Sequence, residues 1–188
     1  MATVLSLRRT LTERPRLPSV PGVRLRNYAG PADIETWLDL RHRAFAREKV
    51  GVRCWEASDF ESEFLARPWW SPERLWFAEA TTPPKVAGTL RAPSARKVAG
   101  TLRVPSAEPA EAIGTICLAQ RGTGEHARPA VHWLAVLPFW RRRGVGKLLL
   151  AALEAACWDA GHRQVFLETH AQWTAALRFY ESHGYRPQ

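Results

Sequence analysis

Apolar and polar positions alternate most regularly in the last third of the chain. Residues 131–136, which read Val-His-Trp-Leu-Ala-Val, form a short apolar run, and Pro138 ends it because proline cannot donate to a sheet ladder. Beyond a basic turn, apolar residues recur at spacings of three and four, as on one helical face. The run therefore predicts a strand, a turn and a helix that ends near Gly161. The apolar helical positions are Val145, Leu148, Leu149, Ala152, Leu153 and Ala156.

A second strand and helix follow directly. Residues 164–168 form another short apolar run, and the helix after them ends at Gly184. Its apolar face is formed by Trp173, Ala176, Leu177 and Tyr180.

The turn between the first predicted strand and helix of the back half is suited to binding an anion. The first backbone N–H groups of a helix have no intrahelical partner, and the helix dipole is positive there. Gly144 and Gly146 lack a Cβ, so a phosphate can approach the backbone closely. Positive charge is added by Arg141, Arg142, Arg143 and Lys147.

Two common phosphate-binding loops do not fit this turn. A Walker loop needs Ser or Thr after Gly-Lys, and the dinucleotide fingerprint needs a third glycine, but Leu148 and Leu149 stand at those positions. The remaining pattern, Arg-x-x-Gly-x-Gly after a strand, resembles the acetyl-CoA loop of the GNAT family of N-acetyltransferases. The run Phe179-Tyr-Glu-Ser-His-Gly184-Tyr185 resembles the second signature of the same family.

The resemblance implies a single α/β domain over residues 21–188, with a mixed, mainly antiparallel sheet flanked by helices. It extends loosely to the front half, where it implies strands over residues 23–28 and 75–80 and a helix over residues 31–47. It also implies that the pantetheine of acetyl-CoA lies along the first predicted strand of the back half and that its pyrophosphate lies on the basic turn. The cofactor-binding residues implied in this way are Leu134, Ala135, Val136, Arg141, Arg142, Arg143, Gly144, Val145, Gly146 and Lys147.

Tyr180 matches the position at which family members carry the general acid that protonates the CoA sulfur. A phenol of pKa about 10 is close in strength to the thiol that it would protonate, whose pKa is about 8.5. Tyr180 also fits the alternative of a core aromatic residue on its helix. The base that takes the amine proton has no motif, and Glu168, His132 and His170 are candidates.

The chain departs from the family pattern at two places. Trp173 stands where members commonly have an asparagine that contacts the cofactor, which puts that contact in doubt. Members usually have two further strands after the second signature, whereas only four residues follow Gly184. The terminal strand pair therefore looks missing. An exposed sheet edge, a partner chain that covers the edge in a homodimer, and a truncated sequence all remain open.

A tandem repeat precedes the back half. Residues 85–96 and 97–108 are identical at ten of twelve positions, with the shared reading Lys-Val-Ala-Gly-Thr-Leu-Arg-x-Pro-Ser-Ala. The apolar centre of each copy favours a strand. The two copies could form a hairpin, or one could pair in the sheet while the other forms a loop.

Composition and charge limit the other function classes. The chain has 188 residues, of which 46% are hydrophobic, and this fits one domain with an adequate core. A net charge of +9 raises the possibility of nucleic-acid binding. The basic residues are scattered apart from the turn, where a polyanionic cofactor explains them better. A nucleic-acid partner is therefore not expected.

The cysteines and the N-terminal residues bear on the cellular location of the protein. Three cysteines without metal-ligand spacing predict neither a disulfide scaffold nor a metal site, so we expect a reducing cytoplasm. No apolar run reaches the length of a membrane span. Residues 1–20 carry four arginines and two prolines, Pro15 and Pro18, and we expect them to form a flexible basic tail.

The sequence thus predicts an N-acetyltransferase that transfers acetyl from acetyl-CoA to a primary amine by direct attack in a ternary complex. The alternative is a non-catalytic acyl-CoA-binding or interaction module of the same fold. The acceptor stays open, since the acidic residues ahead of the strand at 75–80 have no diagnostic spacing. They are Asp33, Glu35, Asp39, Glu56, Asp59, Glu61 and Glu63.

Overall fold

The computed structural model describes residues 3–46, 53–81 and 110–188. The repeat over residues 85–108, for which a hairpin or a strand with a loop was predicted, lies outside these ranges. The described strands are β1 (Val4–Thr10), β2 (Val23–Asn27), β3 (Leu75–Ala80), β4 (Glu111–Arg121), β5 (Arg128–Val136), β6 (Gln164–His170) and β7 (Arg186–Pro187). The helices are α1 (Ala32–Phe45), α2 (Ala57–Phe60), α3 (Val145–Asp159) and α4 (Thr174–Ser182), and a π-helical turn (Glu61–Leu65) continues α2.

The strands form one mixed sheet in the order β2-β3-β4-β5-β6-β1-β7. Only β5 and β6 pair in parallel, and the other described pairs are antiparallel. Residues 113–119 of β4 are all buried, as expected for a strand that is covered on both faces, and α1 and α3 both contact it. The predicted α/β fold with a mixed, mainly antiparallel sheet is confirmed. None of the helices in the described ranges is long and apolar enough to cross a membrane.

The N-terminal segment belongs to the sheet. β1 pairs antiparallel with β6 over seven residues, and its Leu7 is fully buried. The predicted flexible tail over residues 1–20 is therefore wrong for this segment. The physical reason is that Leu5 and Leu7 alternate with polar residues on a strand, a pattern that the neighbouring arginines obscured.

The same strand explains the apparent loss of the terminal strand pair. β1 lies beside β6, and the two-residue strand β7 pairs with the outer edge of β1. The sheet therefore has two strands beyond β6, so the exposed edge of β6, one of the three alternatives that the sequence left open, is absent from the described structure. The homodimer was suggested only because this edge of β6 looked uncovered. Since β1 covers the edge, that reason no longer applies.

The contribution of β1 can be measured with a leucine pair. Leu7 is fully buried, whereas Leu17 is 46% exposed. We expect Leu7→Ala to lower the free energy of unfolding by about 3 kcal/mol, since it removes buried methylene groups and leaves a cavity. Leu17→Ala should change it by less than about 0.5 kcal/mol. Urea denaturation of both variants tests this, and equal stabilities would contradict the placement of β1 in the core.

Candidate active site

The sheet opens between β5 and β6. Their described pairing is confined to Ala130 and Phe166. Beyond this point β5 continues to Val136 and pairs only with β4, first through Val131 and His132 and then through Ala135 and Val136. The backbone of residues 134–136 thus faces the gap without a strand partner in the described structure. Such an edge can accept an extended ligand in the manner of an added strand.

A β-bulge in β5 accompanies the opening. Thr115 pairs with Ala135 and Cys117 with His132, so β5 carries one more residue than β4 between the two pairs. Trp133 lies in this bulge with a left-handed φ of 50°. Its ring packs against Trp55 at a centroid distance of 4.9 Å. The bulge therefore breaks the regular pairing of β5 just before residues 134–136.

The loop after β5 leads into an open helix N-terminus. Arg142 and Gly144 have left-handed φ angles of 61° and 87°, and Gly144 is the N-cap of α3. No side chain caps this helix, so the N–H groups of its first turn are open to an anion. A Cβ at Gly146 would lie 3.3 Å from the Phe179 ring, so glycine also gives α4 room to pack closely here.

The loop side chains differ in what they can contribute. The guanidinium of Arg141 donates to the carbonyls of Val136 at 3.1 Å and Ala44 at 2.6 Å, which ties the loop to β5 and to the end of α1. Arg143 stacks over the Phe139 ring at 4.4 Å, and Val145 is buried in the core. Arg142 and Lys147 remain as exposed charges without a described ion-pair partner.

A cleft of about 540 Å³ lies at the opening of the sheet. This volume falls in the range of small-molecule sites. The cleft brings together residues that were singled out in separate parts of the sequence. These are Leu134, Tyr180, and the three candidate bases His132, Glu168 and His170.

Tyr180 lies in the cleft wall with 8% of its surface exposed. Burial raises the pKa of its phenol well above the usual value of 10. The hydroxyl therefore stays protonated at neutral pH, as a proton donor requires. The position fits the proposed acid, although Tyr180 also packs against Tyr185 at a ring distance of 5.6 Å.

His132 forms a hydrogen bond with a carboxylate, and the sequence did not predict this contact. Its Nε2 lies 2.9 Å from Oε1 of Glu63, in the π-helical turn. The hydrogen bond to His132 is the main cause that lowers the pKa of Glu63 to about 2, and Arg67, at 3.0 Å, adds to this. Burial is the main cause that lowers the pKa of His132. At neutral pH the pair thus consists of a carboxylate and a neutral imidazole.

The two other candidate bases have no such partner in the described residues. The Nδ1 atom of His170 is enclosed without a hydrogen bond, and its ring contacts Trp173 at 5.1 Å. Glu168 is exposed and has no described ion pair. Glu63 was noted in the sequence only as one of seven acidic residues, because nothing in the order of residues links it to His132 in β5.

Trp173 forms part of the cleft wall. It stacks on Phe45 at the end of α1, with ring centroids 5.8 Å apart. Its Nε1 is buried without a hydrogen-bond partner among the described residues. The indole thus joins α1 to the start of α4 at the position where the resembled family commonly has asparagine.

The comparisons with known proteins agree with this geometry. The chain belongs to the acetyltransferase (GNAT) family, whose sequence profile matches residues 35–185. The predicted family is confirmed.

One curated relative is the mycothiol acetyltransferase of Thermobispora bispora, with 33% identity over 180 residues, which cover 95% of this chain and 52% of the relative. A second is the mycothiol acetyltransferase of Mycolicibacterium paratuberculosis, with 32% identity over 197 residues, which cover 97% of this chain and 52% of the relative. The chain thus spans about half the length of the curated relatives it matches.

A solved structure shares the fold. The GCN5-related N-acetyltransferase from Sphaerobacter thermophilus superimposes with a TM-score of 0.67 at 19% identity, over 98% of this chain and 48% of that one. The NatC complex bound to Gag peptide and CoA gives a TM-score of 0.54 at 16% identity, over 86% of this chain and 82% of that one. At these identities the likeness shows the fold alone.

Proposed function

We propose that the protein is an N-acetyltransferase that transfers acetyl from acetyl-CoA to a primary amine. One observation carries the proposal. The free edge of β5 and Tyr180 lie at one opening of the sheet. The uncapped N-terminus of α3 follows β5 in the chain and packs, at Gly146, against Phe179 of the helix that carries Tyr180. Membership in the GNAT family and the curated acetyltransferase relatives support the same reaction.

Acetyl-CoA has two proposed contact regions. The backbone of Leu134, Ala135 and Val136 would hydrogen-bond the pantetheine, because this edge lacks a strand partner. The pyrophosphate would lie on the N–H groups at the start of α3, with the charges of the basic loop around it. This loop comprises Arg141, Arg142, Arg143, Gly144, Val145, Gly146 and Lys147.

The loop residues have distinct proposed roles. Val145 contributes only its N–H group, since its side chain is buried. Arg141 holds the loop through its two carbonyl contacts. Arg142 and Lys147 supply exposed charge near the phosphates.

When bound, acetyl-CoA supplies the thioester. The acceptor nitrogen attacks the thioester carbon, the carbon–sulfur bond breaks, and Tyr180 donates its proton to the sulfur. The raised pKa keeps Tyr180 protonated at neutral pH, so that the proton is present when the carbon–sulfur bond breaks. The ammonium proton of the attacking nitrogen must pass to a base in the cleft.

The acceptor amine is to be found among primary amines that fit the cleft. The name of the curated relatives, mycothiol acetyltransferase, makes mycothiol-related amines the first acceptors to test. The proposal itself requires only a primary amine that fits the cleft.

The reaction is tested by incubating the purified protein with acetyl-CoA and a panel of primary amines. We expect CoA release that depends on the amine, and an acetylated product in the mass spectrum with a mass increase of one acetyl group. Release of CoA without an acetylated amine would show hydrolysis only. If acetyl-CoA binds and none of the amines is acetylated, the result favours an acyl-CoA-binding module and contradicts the proposal.

A further inference from the structure

We propose that His132, held by Glu63, is the general base that takes the proton from the attacking amine. This inference rests on the proposed acetyl transfer. Tyr180 donates a proton to the sulfur, and His132 accepts the proton that leaves the amine. His132 and Tyr180 line the same cleft, so one side chain can accept a proton and the other can donate one at the same opening of the sheet.

The position of His132 follows from the strand that carries it. β5 places His132 two residues before Leu134, the first residue of the free backbone edge. The bulge at Trp133 lies between them. A side chain at this position lies beside the start of the edge on which the pantetheine is proposed to bind. His132 is therefore near the end of the cleft at which the thioester and the amine would meet.

The hydrogen bond to Glu63 fixes the tautomer of His132. A carboxylate can only accept, so the Nε2 atom of a neutral His132 must carry the hydrogen that points to Oε1 of Glu63. The lone pair of the ring is then on Nδ1. This atom has no hydrogen-bond partner among the described residues and is not one of their enclosed unpartnered nitrogens. It is free to accept a proton from the cleft.

The proton transfer balances without another reactant. As the nitrogen of the amine attacks, it becomes positively charged and its N–H strongly acidic. Nδ1 of His132 takes this proton and the ring becomes an imidazolium, whose charge Glu63 stabilises at 2.9 Å. Tyr180 gives its own proton to the sulfur, so the cleft takes up one proton and releases one.

The titratable groups around His132 come from the segment after α2 and from β4. Glu63 lies in the π-helical turn, Arg67 lies just after it, and Arg121 ends β4. Cys117 of β4 is the register partner of His132, and burial raises the pKa of its thiol, which is therefore uncharged. Burial, Arg121 and Arg67 lower the pKa of His132, whereas Glu63 raises it, and the net result is a lowered pKa. The base is therefore already neutral at pH 7. A weak base is sufficient here, because the attacking nitrogen loses its proton after its own acidity has risen.

Glu63 is a positioning residue in this account, since it acts through His132. Its carboxylate is ionised over the whole neutral range, because its pKa is lowered to about 2. Arg67 holds the other oxygen at 3.0 Å. The carboxylate therefore has a fixed orientation from which it can keep the His132 ring in one tautomer.

The first test is the pH dependence of kcat/KM for amine acetylation. For the wild type we expect an acid limb with a midpoint below 6.5, the ordinary value for histidine. His132→Ala should lower kcat by about 100-fold, within the usual range for general base catalysis, and should remove this limb. Added imidazole should restore part of the lost rate. The affinity for acetyl-CoA, measured by calorimetry, should stay within about twofold, since backbone groups and the loop of α3 hold the cofactor.

Glu63→Gln provides the second test. Glutamine can still accept the hydrogen from Nε2, but it lacks the negative charge that stabilises the imidazolium. We expect a loss in kcat of about tenfold and a shift of the acid limb to lower pH. Glu61→Gln is the matched control, because Glu61 lies in the same turn with its side chain exposed. Glu61→Gln should change neither kcat nor the midpoint of the acid limb.

A readout independent of activity is the NMR titration of the His132 ring. We expect a midpoint below 6.5 in the wild type and a lower one in Glu63→Gln. An unshifted titration together with full activity of His132→Ala would overturn the inference. If His132→Ala does not fold, as judged by its melting curve, Glu63→Gln decides: an unchanged pH profile then overturns the inference as well.

The outcomes separate this inference from the proposed function. If the wild type acetylates amines and His132→Ala does so equally well, only the role of His132 fails. If the wild type binds acetyl-CoA and acetylates none of the amines, the proposed function fails and the role of His132 fails with it.

Discussion

Replacement of Tyr180 by phenylalanine is expected to lower kcat by about 100-fold to 10,000-fold, the range that general acid catalysis contributes. Phenylalanine keeps the buried ring that packs in the cleft wall and removes only the hydroxyl group that donates the proton. The loss of packing should therefore be small. Steady-state kinetics with saturating amine, together with calorimetric titration of acetyl-CoA, measure the two effects separately.

The matched control is Tyr28→Phe, since this tyrosine lies outside the residues that line the cleft. It should leave kcat within about twofold. Because burial raises the pKa of Tyr180, ionisation of this phenol should also produce no alkaline limb below pH 10 in the wild type. Lost affinity for acetyl-CoA with unchanged kcat would mean that Tyr180 is a packing residue.

Replacement of Gly146 by glutamate is expected to weaken the binding of acetyl-CoA by at least about 100-fold. The carboxylate would enter the first turn of α3, where the pyrophosphate is proposed to lie, and opposed like charges cost several kcal/mol. Each tenfold change in affinity corresponds to about 1.4 kcal/mol. Calorimetric titration of the wild type and the variant measures the change.

Two controls separate charge from shape. Gln164→Glu adds the same charge with almost no change in shape on an exposed residue at the start of β6, beyond the other end of α3, and should bind acetyl-CoA like the wild type. Gly146→Ala tests the contact with Phe179, which a Cβ would approach to 3.3 Å. If Gly146→Glu melts like the wild type and still binds acetyl-CoA normally, the pyrophosphate does not lie at this turn.

Local sequence patterns predicted the back half of the fold well, and there is a physical reason. β5, the loop and α3 form a continuous segment in which Pro138 ends the strand and the spacing of Val145, Leu148 and Leu149 sets the buried helical face. These features depend on neighbours in the chain.

The errors and omissions concern contacts between distant parts of the chain. β1 pairs with β6 across about 160 positions, and the short pattern at Leu5 and Leu7 does not disclose which strand edge is free. The contact between Glu63 and His132 joins a π-helical turn to a strand 69 residues away. The bulge at Trp133 likewise depends on the register with β4. Such features follow from packing, which a local pattern does not encode.

Trp173 shows the difference between what the local sequence predicts and what packing determines. The sequence showed only that a tryptophan stands where family members commonly have asparagine. The structure places its ring on Phe45, at the end of α1, so the residue closes the cleft wall between α1 and α4. The substitution of tryptophan for asparagine thus changes the shape of the cleft wall.

The most direct test of the account is a crystal structure of the protein with acetyl-CoA. The account predicts that the pantetheine lies along residues 134–136 of β5, that the pyrophosphate contacts the N–H groups at the start of α3, and that the thioester lies between Tyr180 and His132. A cofactor bound away from the opening between β5 and β6, or a thioester out of reach of Tyr180, would contradict it.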